Sequence, residues 1–433
     1  MRVSFKEALL FWVRLGFINF GGPAGQIAIM HRELVERRGW IAEAPFLRAL
    51  NFCMVLPGPE AQQLATYIGW RLHGVWGGIM AGAWFVLPGA ALMLGLSWLA
   101  AAQGQVSWVR GLFYGVQPVV IAIVVEAVLR IGRRALGHRA LLVFPAAAFV
   151  AIYFLKFPFP AIVALAALGG VLWHRWQPHL FGGAGAHAPV PGTNDPRSAG
   201  QRAAYPPFSR GLGLVVVFVA LWALPVGALW LWRGGASVHV QEARFFTQAA
   251  FVTFGGAYAV LSYIADAAVN TYNWLGPAQM VQGLGLAEST PGPLILVTQY
   301  VGFLGAWGAP GDLAPLLSGT LGALIVTYVT FLPSFLFIFV GAPYIEALAQ
   351  NERLQAAFAG VTAAVVGVIL NLAVFFATSV LLPPGEGLDV FAAALAAIGF
   401  VLLWRFHLPI HAVVGGGALL GLAWTLGRPA LGF

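Results

Sequence analysis

The chain has 433 residues, of which 60% are hydrophobic and 9% charged, and its formal net charge is +8. A mean hydropathy of +0.83 lies outside the soluble range and marks an integral membrane protein. One cysteine, Cys53, excludes an internal disulfide framework and a multi-thiolate metal site. The positive charge sits in loops beside apolar runs, which points to the positive-inside bias and not to nucleic acid.

From the N-terminus, Met1–Leu15 mixes Lys6, Glu7 and Arg14 into apolar sequence and lacks a small-residue cleavage site, so no cleavable signal is expected. Phe5–Phe20 reads as an apolar half-helix stopped by Gly21-Gly22-Pro23, and Ala24–Arg38 resumes the helical pattern. Ala44–Leu56 then runs into Pro57-Gly58-Pro59, after which Glu60–His73 resumes. Such pieces are too short for a hydrocarbon core of about 30 Å at about 1.5 Å per residue, so re-entrant or discontinuous helices are expected. Their broken backbone belongs inside protein or against a watery cavity.

Longer apolar runs follow at Val75–Ala102, Val106–Ile131, Ala140–Leu155 and Ala161–Trp173. Gln177–Arg210 is rich in Pro, Gly, Ala and polar residues and reads as a flexible linker. Beyond it come Leu212–Trp232, Leu316–Val340, Ala357–Leu382, Val390–Trp404 and Ile410–Leu426. Basic residues crowd Met30–Gly39, Arg130–Arg139 and Trp173–Arg210 (Arg175, Arg197, Arg202, Arg210), which are read as cytoplasmic. The acidic turn Pro383–Asp389 is read as external and Glu346–Arg353 is weakly basic.

The chain also contains itself twice. Gly16-Phe17-Ile18-Asn19-Phe20-Gly21-Gly22 recurs as Ala250-Phe251-Val252-Thr253-Phe254-Gly255-Gly256, and Pro57-Gly58-Pro59 as Pro291-Gly292-Pro293, both 234 residues later. Phe85-Val86-Leu87-Pro88 aligns with Thr330-Phe331-Leu332-Pro333, and Gly115-Val116 with Gly360-Val361, at an offset of 245. Residues 1–176 are the first repeat, 177–210 a cytoplasmic linker, and 211–433 the second repeat. An extra span near 212–232 turns the second copy over. The expected fold is an all-α polytopic membrane protein of two homologous repeats in inverted topology, with about nine or ten crossings and broken or re-entrant helices at the repeat interface.

A helix that starts at Gly and Pro has a ready anion site, because its first N–H groups are unpaired and its end carries roughly half a positive charge. Gly21 and Gly22, Gly58, Gly255 and Gly256, and Thr290 with Gly292 are therefore candidate contacts for a compact anion. Glu60, Gln63, Tyr67 and Arg71 share one helical face and are expected to face a cavity. Glu60 is either a helix-start carboxylate or a coupling carboxyl, protonated or paired with Arg71 or Arg14 when anion is bound. Arg14, whose counterpart is Gln248, either snorkels or binds the anion through its guanidinium fork. Glu126, aligned with Asn371, is a second coupling candidate or the i+4 partner of Arg130.

Other features point away from chemistry. His31, Arg32, Glu33, Glu36, Arg37 and Arg38 read as a solvated cytoplasmic face, and tryptophans such as Trp70, Trp173, Trp232 and Trp404 as interfacial anchors. His73, His138, His174 and His239 lack metal-ligand spacing. Without a Walker loop, a dinucleotide fingerprint or a second thiol, neither an ATPase nor a reductase is expected, and no cofactor is called for.

Phe17–Pro23, the run Leu56-Pro57-Gly58-Pro59-Glu60-Ala61-Gln62-Gln63-Leu64-Ala65-Thr66-Tyr67-Ile68-Gly69-Trp70, and Phe85-Val86-Leu87-Pro88-Gly89 resemble the chromate ion transporter family in its long two-domain form. Phe254-Gly255-Gly256 and Thr290-Pro291-Gly292-Pro293 extend the resemblance to the second copy, so that it covers nearly all of the chain except the linker. It implies a multi-pass protein of the prokaryotic inner membrane, embedded in lipid, that exports chromate and confers resistance, with sulfate as the similar oxyanion. The Gly-Gly-Pro and Pro-Gly-Pro positions carry over from the family; a carrier, a channel and a homodimer stay open.

Overall fold

The computed structural model describes residues 3–177, 208–345, 351–383, 385 and 387–431, and among these there are helices and no strand. Of the expected linker 177–210, residues 178–207, with Arg197 and Arg202, lie outside the described residues, as do Glu346, Pro384 and Glu386.

The first half opens with α1 (Phe5–Ile18), whose start is fixed by Ser4: the Glu7 N–H donates to its Oγ at 3.2 Å. After the break comes α2 (Gly22–His31), extended by a π-helical turn at Arg32–Arg37, and then α3 (Glu43–Val55) and α4 (Glu60–Gln103). α4 is two limbs, because His73 and Gly74 leave helical geometry, Gly74 at φ 64°. The limbs fold back on each other so closely that a Cβ on Gly69 would lie 2.3 Å from the Gly77 carbonyl oxygen.

These short pieces form two hairpins with their feet together. Arg38 stacks on Phe11 and Trp40, 5.1 and 5.0 Å from the ring centroids. His31 meets Glu43 at 2.7 Å, and His73 Nε2 lies 2.9 Å from the Val3 carbonyl. The N-terminus of α1 is thereby tied to the end of the α2 segment, and the end of α2 to the start of α3. The tips, residues 19–22 and 56–59, lie at the far end. The re-entrant expectation is met because helices of this length, broken at Gly and Pro, reverse inside protein and do not continue across.

Next come α5 (Ser107–Ala135), α6 (Val143–Tyr153), α7 (Phe159–Trp176) and α8 (Phe208–Arg233). The second half repeats the plan. α9 (Val238–Phe251) and α10 (Ala257–Asp266, with a π turn at Ala267–Thr271) form one hairpin. α11 (Pro277–Ser289) and α12 (Val297–Gly308) form another. Trp274, just beyond α10, stacks on Phe246 of α9 with centroids 5.8 Å apart, and Ser318 Oγ donates to Ala306 O at 2.7 Å. α13 (Pro315–Gly341) folds back on α12 at Gly302 and Gly322, as the α4 limbs do at Gly69 and Gly77. α14 (Glu352–Leu381), α15 (Val390–Trp404) and α16 (Ile410–Leu431) complete the chain.

The halves are clasped by exchange. α6 and α7 of the first half pack on α14, while α15 and α16 of the second pack on α5. Small residues allow the approach: a Cβ on Gly115 would lie 2.0 Å from Gly417 O, and one on Gly170 2.2 Å from Ala356 O. In a bilayer, where apolar burial gives helices no preference for each other over lipid, such close contact is what holds them together. Seven helices among the described residues are long and apolar enough to cross a membrane. With the shorter apolar helices α6 and α15 they account for the nine runs read from the sequence.

Candidate functional site

The four tips meet, and they meet across the halves. Gly58 N–H donates to Thr253 O at 2.9 Å, and Gly292 N–H donates to Asn19 O at 3.4 Å. Gly58 corresponds to Gly292 and Asn19 to Thr253 at the 234-residue offset, so the two bonds interchange when the halves do. Close packing repeats the relation: a Cβ on Gly58 would lie 2.8 Å from Ser334 Oγ, and one on Gly89 2.1 Å from Pro291 O. Gly58 and Gly292 both hold left-handed backbone, φ 121° and 103°.

The two Gly-Gly breaks differ from the Pro-Gly-Pro breaks in exposure. Pro57-Gly58-Pro59 and Pro291-Gly292-Pro293 are buried, whereas Gly21-Gly22 and Gly255-Gly256 are half-buried. A Cβ on Gly22 would meet nothing within 4 Å; on Gly256 it would meet only Glu60 Oε1, at 3.7 Å. α2 and α10 start at these glycines with no side-chain cap, as α4 does beside Glu60. Their first N–H groups have no partner within the helix, and the helix dipole adds to them. The arrangement is suited to a small anion held by backbone, with one carboxyl beside it.

The remaining sequence candidates fall into place unevenly. Gly58 and Gly292 were expected to leave N–H groups free, and the cross-half bonds take them up. Gln63 is fully buried and donates to Pro57 O at 2.7 Å, so it closes the broken backbone. Tyr67 is buried and accepts from Arg71 Nη1 at 3.4 Å, while Arg71 is exposed near the hairpin feet. The expected polar stripe therefore reaches accessible space near the tips only through Glu60, because residues 75–103 fold back over the others. Arg14 is exposed on α1, and among the described residues Glu60 forms no ion pair with Arg14 or Arg71. Thr290 is buried and bonds to Ala287 O at 3.3 Å. Glu126 pairs with Arg130 at 3.5 Å, the i+4 alternative.

Sequence reasoning missed three groups. Gln26, buried on α2, donates from Nε2 to Asn19 O at 3.0 Å and to Gly292 O at 2.6 Å, joining the tips of both halves. Asn19 Nδ2 donates to Phe85 O at 3.1 Å. Tyr258, in the first turn of α10, donates to Glu288 Oε1 through a short contact, with the Glu126–Arg130 pair within electrostatic reach. The signal available for Asn19 and Gln26 was polarity beside a break. A cavity of about 270 Å³ lies nearby, lined by Pro160, Val163, Val252, Phe254, Phe358 and neighbours; its apolar wall offers nothing to an anion. At the second-half feet, Arg233 donates to Asp312 and holds that exposed carboxyl below the usual carboxylate range.

Comparison with known proteins agrees with this architecture. The family model described as chromate transporter matches residues 6–171 and 240–422, one stretch in each half. A "Chromate transport protein" of Pseudomonas aeruginosa is 33% identical over 428 residues, 97% of this chain and 92% of that protein. Its namesake from Cupriavidus metallidurans is 29% identical over 420 residues, covering 97% and 93%. An uncharacterized transporter of Bacillus subtilis is 30% identical over 132 residues, 30% of this chain but 67% of its own length. No solved structure matches.

Proposed function

The chain belongs to the chromate transporter family, and from that premise we propose that it is a secondary transporter carrying chromate across the prokaryotic inner membrane by alternating access. The observation that carries this reading is the pair of open, uncapped helix starts at Gly22 and Gly256, one from each half, beside tips bonded across the halves. Chromate is tetrahedral with spread charge, so several backbone dipoles hold it without trapping it. Export, resistance and sulfate as a related cargo come from the resemblance.

In this reading residues 1–176 and 211–433 are the two repeats, oppositely oriented about an axis through the tips, with 177–210 a cytoplasmic linker. Inversion is supported by the course of α8: Phe218 meets Phe339 of α13, which lies against Gly78 near the first-half feet, and the helix ends at Arg233, paired with Asp312 at the second-half feet. Rocking one half against the other about the buried Pro-Gly-Pro contacts then exposes the Gly-Gly starts to alternate sides.

Glu60 sets the charge of the site. A carboxylate beside a dianion opposes it, so chromate binds when Glu60 is neutral. Saturable, gradient-driven chromate uptake by proteoliposomes tests the carrier; a linear, voltage-driven current would contradict it. Glu60→Gln should tighten equilibrium chromate binding at neutral pH and flatten its pH dependence, and an unchanged pH profile would remove Glu60 from the site.

A further inference from the structure

Away from the tips, α9 carries a carboxyl that the anion site does not use. Glu242 is 0% exposed, and neither of its carboxyl oxygens has a hydrogen-bond partner. It is lodged where α9 meets α12 and α13. A Cβ on Gly305 would lie 2.6 Å from Oε1, and one on Gly322 2.9 Å from Oε2, so two glycines make its room. Trp274 lies against the same Gly305, with its Cβ at 3.0 Å from that position.

The architecture does not require an acid here. The corresponding position in the first half is Ala8, also fully buried, and α1 packs on α4 with alanine in that place.

Among the described residues, no hydrogen bond or ion pair reaches Glu242 from the groups on α9 or on the elements packed near it. His239 is one turn away on α9 and fully buried; its Nε2 lies 3.2 Å from Ser318 O and its Nδ1 has no partner. α12 brings Tyr300, whose hydroxyl is also without a partner, and α13 brings Tyr328, which donates to Leu221 O at 2.6 Å. α10 and its π turn contribute Tyr263, Tyr272 and the exposed Asp266, which accepts from Asn270. Arg233, at the end of α8, is engaged by Asp312, and Arg244 of α9 is exposed.

With no cation against it, a buried carboxylate is strongly disfavoured and the group takes up a proton. A metal ion is a poor alternative occupant, because among the described residues no three His, Cys, Asp or Glu side chains come together.

We propose that Glu242 is a second proton-binding group, distinct from Glu60 at the anion site, through which this protein couples oxyanion movement to a proton gradient. The inference rests on the transport reading above and names its coupling ion. Releasing the proton leaves a charge that needs water, and water reaches Glu242 when α9 draws away from Gly305 and Gly322. The α9–α10 hairpin carries Gly255-Gly256 at its tip, so the protonation state of its shaft and the seating of its tip change together. The carboxyl takes one proton from one side and releases it to the other; no other bond is made or broken. His239, between Glu242 and the feet, is placed to relay it.

The test uses the full chain in proteoliposomes, with chromate as cargo, an imposed pH gradient, a trapped pH dye, and equilibrium chromate binding. Wild type should accumulate chromate in response to the gradient and move protons as it does so. Glu242→Gln, close to the same shape, should keep chromate affinity within about twofold and its pH dependence of binding, yet lower the accumulation driven by the pH gradient and the protons moved per chromate, leaving only the proton that Glu60 takes up with the anion. Glu242→Asp should keep coupling with a displaced pH profile. Folded Glu242→Gln with wild-type coupling overturns the proposal. If Glu242→Gln does not fold, Glu242→Asp decides: a displaced profile supports the assignment and an unchanged one overturns it. Wild type that carries chromate without protons overturns the coupling alone, whereas wild type that neither binds nor carries chromate overturns the transport reading beneath it.

Discussion

At Pro57-Gly58-Pro59 and Pro291-Gly292-Pro293 the backbone is buried, its glycine N–H groups are bonded to the opposite half, and no side chain fits beside Gly58. At Gly21-Gly22 and Gly255-Gly256 the same positive-φ backbone is half-buried, and Gly22 and Gly256 border space on which nothing packs closely. Both kinds of break interrupt a short helix, yet one joins the halves and the other leaves helix ends available. A broken membrane helix is therefore not by itself a binding element. Its role is decided by what has already taken its polar groups.

The comparison predicts opposite consequences for one chemical change. Gly58→Ala forces a Cβ to 2.7 Å from Gln63 Nε2 at a φ of 121°, so strain and overpacking should together cost about 2–5 kcal/mol. The protein should fail to accumulate in the membrane, or melt far earlier in detergent; wild-type stability would break the contrast. At Gly22 the φ of 65° costs an alanine only about 1–2 kcal/mol. Gly22→Ala should therefore leave a folded protein that is impaired in chromate binding.

Gln26→Ala sharpens the comparison from the side-chain end. Removing the amide strips one bond each from the carbonyls of Asn19 and Gly292, and thermal unfolding should report a loss of about 1–3 kcal/mol. Gly292 N–H still holds Asn19 O, so the variant should be less damaged than Gly58→Ala. The smallest effect belongs to the feet. Asp312 is exposed and its carboxyl is held low by Arg233, so its stabilisation is present at neutral pH and lost as pH falls through its lowered value. Asp312→Asn should change neutral-pH melting little and remove that part of the acid sensitivity.

Much of the scaffold was legible because apolar run length and Gly/Pro punctuation are local signals. The nine runs, the boundary between His73 and Val75 and both copies of each break could all be read from the chain, though not that the chain reverses at that boundary. Which face of an apolar helix meets protein and which meets lipid could not. Nor could the exposure of Arg14 or the place of Arg71 at the feet be read, and the share of Gln63 in closing Pro57 O was hidden in a polar stripe expected to face a cavity. The bonds from Gly58 to Thr253 and from Gln26 to Gly292 join residues from opposite halves of the chain, where no local pattern points. Glu242 and the Tyr258–Glu288 pair were missed because they lie in the second copy, where the first offers Ala8, Ala24 and Met54 and so gave no hint of an acid.

Equilibrium binding of radiolabelled chromate to purified wild type, Gly22→Ala and Gly256→Ala tests the central claim most directly. If one cargo is held by helix starts from both halves, each alanine should weaken binding roughly tenfold or more, about 1.4 kcal/mol, with the fold intact. Wild-type affinity in both folded variants would contradict it.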